Sequence, residues 1–315
     1  MTGSGGTLLA DRVVEGDPRA CARLISLVED DEPEGRRILR ELPGGQALRV
    51  GVTGPPGAGK STVIDGLIRQ LRARELKVAV LAVDPSSPFS GGALLGDRIR
   101  MQGHARDRGV YIRSMGSRGQ LGGLSAATEG ACRVLEAAGF GVILIETVGV
   151  GQSEMAIRGV ADLVVLVMHP ESGDGIQALK AGILEVPDLF VVNKADLPGA
   201  RATRQALVAM LEEAASLGHV MSPEAPDEQV LLVQGEDPEG PQGVQSLVER
   251  LLAARDGQRP GRGRDHLALV RALVEARVGR ILKQVPPPAD LIDPWAAARH
   301  WLAAALPHLE DPGRP

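Results

Sequence analysis

The sequence predicts an α/β fold with a mainly parallel sheet flanked by helices. Three observations carry this expectation: seven short runs rich in Val, Ile and Leu, helix-length segments between most of them, and a Gly-rich turn joining the first run to its helix. In chain order, Thr7 to about Pro43 comes first and reads as short helices. Leu8, Leu9 and Val13, then Ala20, Leu24, Leu27 and Val28, fall at helical spacing. Asp17-Pro18 looks like an N-cap followed by a helix-starting proline, and Pro43-Gly44-Gly45 closes the segment. The expected strands are Leu48–Thr53, Val78–Val83, Val110–Arg113, Val142–Glu146, Leu163–Met168, Leu189–Asn193 and Val230–Val233. The expected helices between them are Ser61–Arg72, Leu124–Ala138, Arg201–Leu217 and Val244–Ala254. Asp256–Arg264, rich in Gly, Arg and Pro, reads as a linker. Beyond it Leu267, Val270, Leu273, Val274, Val278 and Ile281 keep helical spacing, Pro286-Pro287-Pro288 interrupts, and a last helix is expected from about Pro294 to Leu306. The organisation is therefore an N-terminal helical segment (1–45), a sheet domain (46–256) and a short C-terminal helical arm (257–315).

Composition narrows the function classes. A net charge of −5 argues against nucleic acid or an anionic membrane as the main partner. Aromatic residues are only 2% of the chain, so stacking on bases is not the expected binding device. Cys21 and Cys132 stand far apart with no C-x-x-C pattern, which suggests two buried, reduced thiols in a cytoplasmic protein. The start lacks the basic and apolar regions of a secretion signal, and no apolar run reaches membrane-spanning length.

The run Gly54-Pro55-Pro56-Gly57-Ala58-Gly59-Lys60-Ser61 fits G-x-x-x-x-G-K-[ST] between an expected strand and an expected helix. Glycines let backbone N–H groups turn inward around phosphate oxygens, and the helix start adds its positive dipole end. Lys60 would place a cation between the β- and γ-phosphates, Ser61 would offer its hydroxyl to Mg²⁺, and Thr62 lines the same turn. The blander reading, an accidental Gly-rich turn, is disfavoured by the strand–loop–helix context. The fold expectation sharpens accordingly to a P-loop NTPase.

Asn193-Lys194-Ala195-Asp196 fits N-K-x-D at the end of a strand. Guanine offers two N–H donors on one edge, and a fixed carboxylate accepts both. This assigns Asp196 to guanine selection, and thus GTP/GDP as ligand. Asn193 either bonds the base or ties loops together, and the Lys194 stem can cover the ring. The four residues alone are a weak signal; downstream of a P-loop they are a strong one.

Asp84 and Glu146 each end a strand, and Asp97 lies in the loop between. Mg²⁺ takes one or two carboxylates and keeps several waters, so Glu146 and Asp84 are expected in or next to its shell and Asp97 as a loop ligand. Asp97 could instead cap a helical turn at Arg98–Met101. Gly149 could donate its N–H to the γ-phosphate. Ser86–Gly96 and Pro170–Lys180 read as loops that respond to nucleotide, although the second could be a plain turn capped by Asp174.

The stretches Leu81–Met101, Tyr111–Gly123, Glu146–Glu154, Gly173–Ile183 and Val191–Asp196 resemble the MeaB/ArgK/MMAA family of GTPases. The likeness is strong over roughly Arg49 to Ala200 and weak in both flanks. It implies a chaperone that binds an adenosylcobalamin-dependent acyl-CoA mutase, such as methylmalonyl-CoA mutase, and gates cofactor loading by GTP hydrolysis. It also implies homodimerisation through the C-terminal arm. Asp174, Gln177 and Lys180 match the family's third switch loop, and Gln152 and Gln177 are candidates to orient water. Three departures stand out: Glu171-Ser172 follows Pro170 where the family has Pro-Gly, Gln234-Gly235 replaces the usual Ser-Ala behind the guanine, and the arm is short. Two other readings are a nickel-insertion GTPase, which would need His- or Cys-rich motifs, and a small-molecule or amino-acid transport kinase, which would not need N-K-x-D. A slow intrinsic GTPase rate is expected, because no arginine finger stands beside the P-loop.

Overall fold

The computed structural model describes residues 4–84, 102–104, 106–116, 121–147, 157–170, 186–217, 224–235 and 243–257, together with single residues at 274 and 303. Three helices lead the chain: α1 (Ser4–Val14), α2 (Pro18–Glu29) and α3 (Pro33–Glu41). Asp17 starts α2 as the sequence suggests. Its Oδ1 accepts from the backbone N–H of Arg19 at 2.8 Å, and Pro18 fills the first position, where no donor is missed. The Arg12 guanidinium, bonded to the other carboxylate oxygen at 2.9 Å, holds this carboxyl below its ordinary range.

The sheet follows, with β1 (Leu48–Thr53), α4 (Lys60–Arg72), β2 (Val78–Asp84), a 3-10 turn (Gln102–His104), β3 (Val110–Gly116) and α5 (Leu121–Ala137). Then come β4 (Val142–Thr147), β5 (Leu163–Met168), β6 (Leu189–Val192), α6 (Ala200–Ser216), the short α7 (Pro226–Gln229), β7 (Val230–Leu232) and α8 (Val244–Arg255). Among the described residues the seven strands form one parallel sheet in the order β3-β2-β4-β1-β5-β6-β7. No described helix is long and apolar enough to cross a membrane.

Both faces of the sheet are buried, which explains the unbroken apolar runs. Alternation assigns each residue to a face. Val50, Val52, Val142, Leu144, Val165, Val167 and Val191 pack with Ile64, Leu67 and Leu71 of α4 and Leu247 and Leu251 of α8. Ile143, Ile145, Ala79, Leu81 and Val164 face the other way, onto Leu24 and Ile25 of α2 and Ala131 and Leu135 of α5. At the far end of that face Leu166, Met168, Phe190 and Val192 meet Leu207 and Leu211 of α6. Fully burying each of the larger of these side chains, Val, Leu, Ile, Met or Phe, contributes about 1.5–3 kcal/mol.

Five strand ends depart from the expected boundaries: β2, β4 and β7 each by one residue, and β3 and β6 with consequences for the site. β3 runs three residues further, to Gly116, because Ser114, Met115 and Gly116 pair with Ala82, Val83 and Asp84 of β2. Ser114 and Gly116, which disfavour strands, hide this from a propensity reading. β6 stops at Val192, and Lys194 takes a left-handed backbone with φ 56°. Asn193 therefore belongs to the turn.

Aspartates start two of the strands. Asp162 N–H donates to Arg49 O at 2.8 Å, and its carboxylate accepts from Arg49 N–H at 2.9 Å. Asp188 repeats the arrangement on Val164, at 2.8 Å in each direction, and also holds Arg158 at 2.5 Å. These staples fix the amino ends of β1, β5 and β6, and so set the register at their carboxyl ends. Arg49 itself points from central β1 into the α5 layer with 1% exposure. It forks onto Glu136 at 2.8 and 3.0 Å and also pairs with Glu129. Burial opposes its charge, but the neighbouring Cys132 sulfur and the two carboxylates outweigh this and raise its pKa.

Candidate functional site

The predicted residues that the structure describes gather at the carboxyl ends of β1, β2, β4, β6 and β7, on either side of the central strand. In open α/β sheets this edge is where ligands bind. The loop Gly54–Gly59 leaves β1 there and opens α4 at Lys60. Gly54, Gly57 and Gly59 all have positive φ, at 140°, 78° and 84°. At two of them the neighbours also demand glycine. A Cβ on Gly54 would stand 2.0 Å from Val167 O, and one on Gly59 would stand 2.3 Å from Asn193 Nδ2. The P-loop is therefore pressed against the ends of both β5 and the guanine-motif turn.

Lys60 is 7% exposed and curls back over its own loop. Its ammonium donates to Gly54 O at 2.8 Å and Pro55 O at 3.1 Å. Pro56 and Gly57 form the exposed rim, Ala58 is buried beneath, and Thr62 is the third residue of α4. Ser61 Oγ donates to Glu146 Oε1 at 2.8 Å, and both residues are buried. Strand parity explains the meeting: Glu146 continues the Val142, Leu144 series that faces α4. The sequence places Ser61 and Glu146 85 residues apart, and the sheet brings their oxygens together.

Asn193 ties loops together, one of the two roles expected of it. Its Nδ2 donates to Ala58 O at 2.9 Å, and its Oδ1 accepts from Gly235 N–H at 3.1 Å. It ties the P-loop to the turn after β7, with the Ala195 N–H to Val233 O bond of 3.1 Å alongside. The Gly235 N–H is thereby occupied by Asn193. Gly235 also lies against Thr62, where a Cβ would come within 3.0 Å of the methyl, while Gln234 beside it is partly buried. Lys194 and Asp196 are exposed at the mouth, and among the described residues Asp196 has no hydrogen-bond or ion-pair partner. Asp84 ends β2 as expected; its side chain lies outside the described residues. Asp97, Gly149, Gln152, Asp174, Gln177 and Lys180 also lie outside them, as does nearly all of the C-terminal arm.

One pair at this edge escapes a motif reading. Thr147 Oγ1 donates to Thr53 Oγ1 at 3.0 Å, with both side chains buried. The only sequence signal is a threonine at the end of each of two apolar strands.

The arrangement offers a rim of backbone N–H groups, one ammonium, a hydroxyl–carboxylate pair and an open carboxylate along a single edge. A family model described as methylmalonyl Co-A mutase-associated GTPase MeaB matches residues 21–281. A Pyrococcus abyssi protein is 58% identical over 197 residues, covering 62% of this chain and 61% of its own length. Escherichia coli GTPase ArgK is 42% identical over 191 residues, 59% of this chain and 58% of its own. The chain thus spans about three fifths of the length of these relatives. The crystal structure of an LAO/AO transport system kinase shares the fold, with a TM-score of 0.65 at 24% identity over 99% of both chains.

Proposed function

The chain belongs to the family of methylmalonyl Co-A mutase-associated GTPases, and from that premise we propose that it binds and slowly hydrolyses GTP to time cofactor loading on an adenosylcobalamin-dependent acyl-CoA mutase. One observation carries the nucleotide part: Asn193 joins the phosphate loop to the guanine-motif turn through Ala58 and Gly235, so the two half-sites form one unit.

Each residue has a physical task in this reading. The P-loop N–H groups and the start of α4 attract phosphate oxygens. Lys60 exchanges two neutral carbonyl acceptors for anionic phosphate oxygens, which bind an ammonium more strongly. Asp196 accepts the two edge N–H groups of guanine, a pair that adenine lacks. Ser61 Oγ and Glu146 Oε1 are hard oxygens in contact, the donor type that Mg²⁺ takes, and they fit it. Mg²⁺ bound there supplies positive charge against the phosphate oxygens. The run from Gly54 to Thr62 contains no arginine or glutamine, which supports a low intrinsic rate that the mutase would raise, with Gln152 and Gln177 the candidates to orient the attacking water. Asp84 and Asp97 complete the metal surroundings in this proposal. Gly149 and the Asp174–Lys180 stretch read out the γ-phosphate, and the C-terminal arm pairs two copies.

Titration with fluorescent GTP, GDP and ATP in Mg²⁺ tests the site. Wild type should select guanine nucleotides, Asp196→Asn should lose that selectivity, and Lys60→Ala should fail to bind. Equal affinity of wild type for ATP would refute the assignment. Capture of the host's cobalamin mutase with a GTP analogue, compared with GDP, tests the partner. No nucleotide-dependent recovery would refute the chaperone role and leave the nucleotide site standing.

A further inference from the structure

Neighbouring residues of β4 face opposite layers. Val142 and Leu144 lie in the α4 layer and Ile143 and Ile145 in the α5 layer. Glu146 continues the first series and meets Ser61. Thr147 continues the second and turns its hydroxyl away from α4. In β1, Val50 and Val52 likewise face α4, and Thr53 turns away. Val52 is the register partner of Glu146, so Thr53 and Thr147 stand one rung beyond, where their hydroxyls bond at 3.0 Å.

The position of this rung is its significance. Thr53 is the last residue before Gly54, and Thr147 the last before Val148-Gly149. The bond joins the points at which the P-loop and the loop after β4 leave the sheet. Glu146 is gripped from one face by Ser61, and its chain neighbour is gripped from the other. We propose that the Thr53–Thr147 hydroxyl pair is a positioning device for hydrolysis, fixing the exit of the loop after β4 relative to the P-loop. This rests on the GTPase reading above and extends it to two residues that no nucleotide motif requires.

A structural role and a positioning role predict different outcomes. Valine matches threonine in shape and suits a strand, and replacing both partners of a buried hydrogen bond by apolar groups of the same shape is nearly neutral for stability. The experiment compares wild type, Thr53→Val, Thr147→Val, the double variant and Thr147→Ser. It measures thermal unfolding, GDP affinity and single-turnover GTP hydrolysis. The double variant should unfold within a few degrees of wild type and bind GDP within about twofold, yet hydrolyse GTP about tenfold more slowly, the scale of one positioned hydrogen bond. The singles should be no faster than the double, and Thr147→Ser, which keeps the hydroxyl, should stay close to wild type. Wild-type hydrolysis in the double variant would overturn the inference while the GTPase reading stands. A loss of GDP affinity matching the loss of rate would overturn it too, by making the pair part of the binding fold. A wild-type protein that never hydrolyses GTP, with or without its partner, would overturn both.

Discussion

Replacing Gly59 by alanine tests how the phosphate loop is braced. Gly59 and Gly57 have nearly the same backbone, at φ 84° and 78°, so alanine costs each about 1–2 kcal/mol in the left-handed region. Their surroundings differ. A Cβ on Gly57 meets nothing within 4 Å, whereas one on Gly59 lies 2.3 Å from Asn193 Nδ2. The Asn193 amide has to withdraw, breaking its 2.9 Å bond to Ala58 O and leaving buried polar groups unsatisfied. That adds about 1–3 kcal/mol. Gly59→Ala should therefore be less stable than Gly57→Ala by about 2 kcal/mol. Urea unfolding of the nucleotide-free protein reads this as a gap between midpoints. In an Asn193→Ala background the obstacle and the bond are both gone, and the two alanine variants should unfold alike. Equal losses in the wild-type background, or an excess at Gly59 that persists without Asn193, would refute the brace.

Two further outcomes follow from the ion pairs. Arg49→Met should destabilise by about 3–5 kcal/mol, because it strands the buried Glu136 carboxylate. Adding Glu136→Met should recover more than half of that loss in urea unfolding; a further loss would contradict the account. Asp107, bonded to Arg72 at 2.8 Å, has its pKa lowered from 3.8, chiefly by that hydrogen bond. Its folded form thus favours the carboxylate, so the contribution is present above about pH 4 and fades as pH falls through the lowered value. Because the pair is partly exposed, Asp107→Asn should cost only ~0.5 kcal/mol between pH 5 and 8, and progressively less as the pH falls below about 4. A difference that grew with acidity would have the wrong sign.

The P-loop and N-K-x-D were legible because their chemistry depends on contiguous residues. The strands were legible because both faces of the sheet are buried, so Val142–Ile145 and Leu163–Met168 read as apolar without interruption. Pairings that depend on register could not be read this way. The contact of Ser61 with Glu146 and that of Thr53 with Thr147 exist only once β1 lies beside β4. Asn193 left two readings open, because its role depends on where Ala58 and Gly235 arrive. Arg49 in a central strand looks like a break in the pattern until Glu129 and Glu136 come round on α5 to meet it.

The contact between α2 and α5 has a consequence for synthesis. Leu24 and Ile25 of α2 bury against Ala131 and Leu135 of α5. Glu29, at the end of α2, takes Arg113 and the Gly116 N–H from β3. Helix α2 leaves the ribosome complete at Glu29, but its docking surface is unfinished until Ala137. At roughly 5–20 residues per second the part of the helix that meets α5 waits roughly 5–20 s uncovered. The nascent chain is thus most exposed to aggregation before α5 emerges, and helper proteins that shield hydrophobic surface would matter most in that interval.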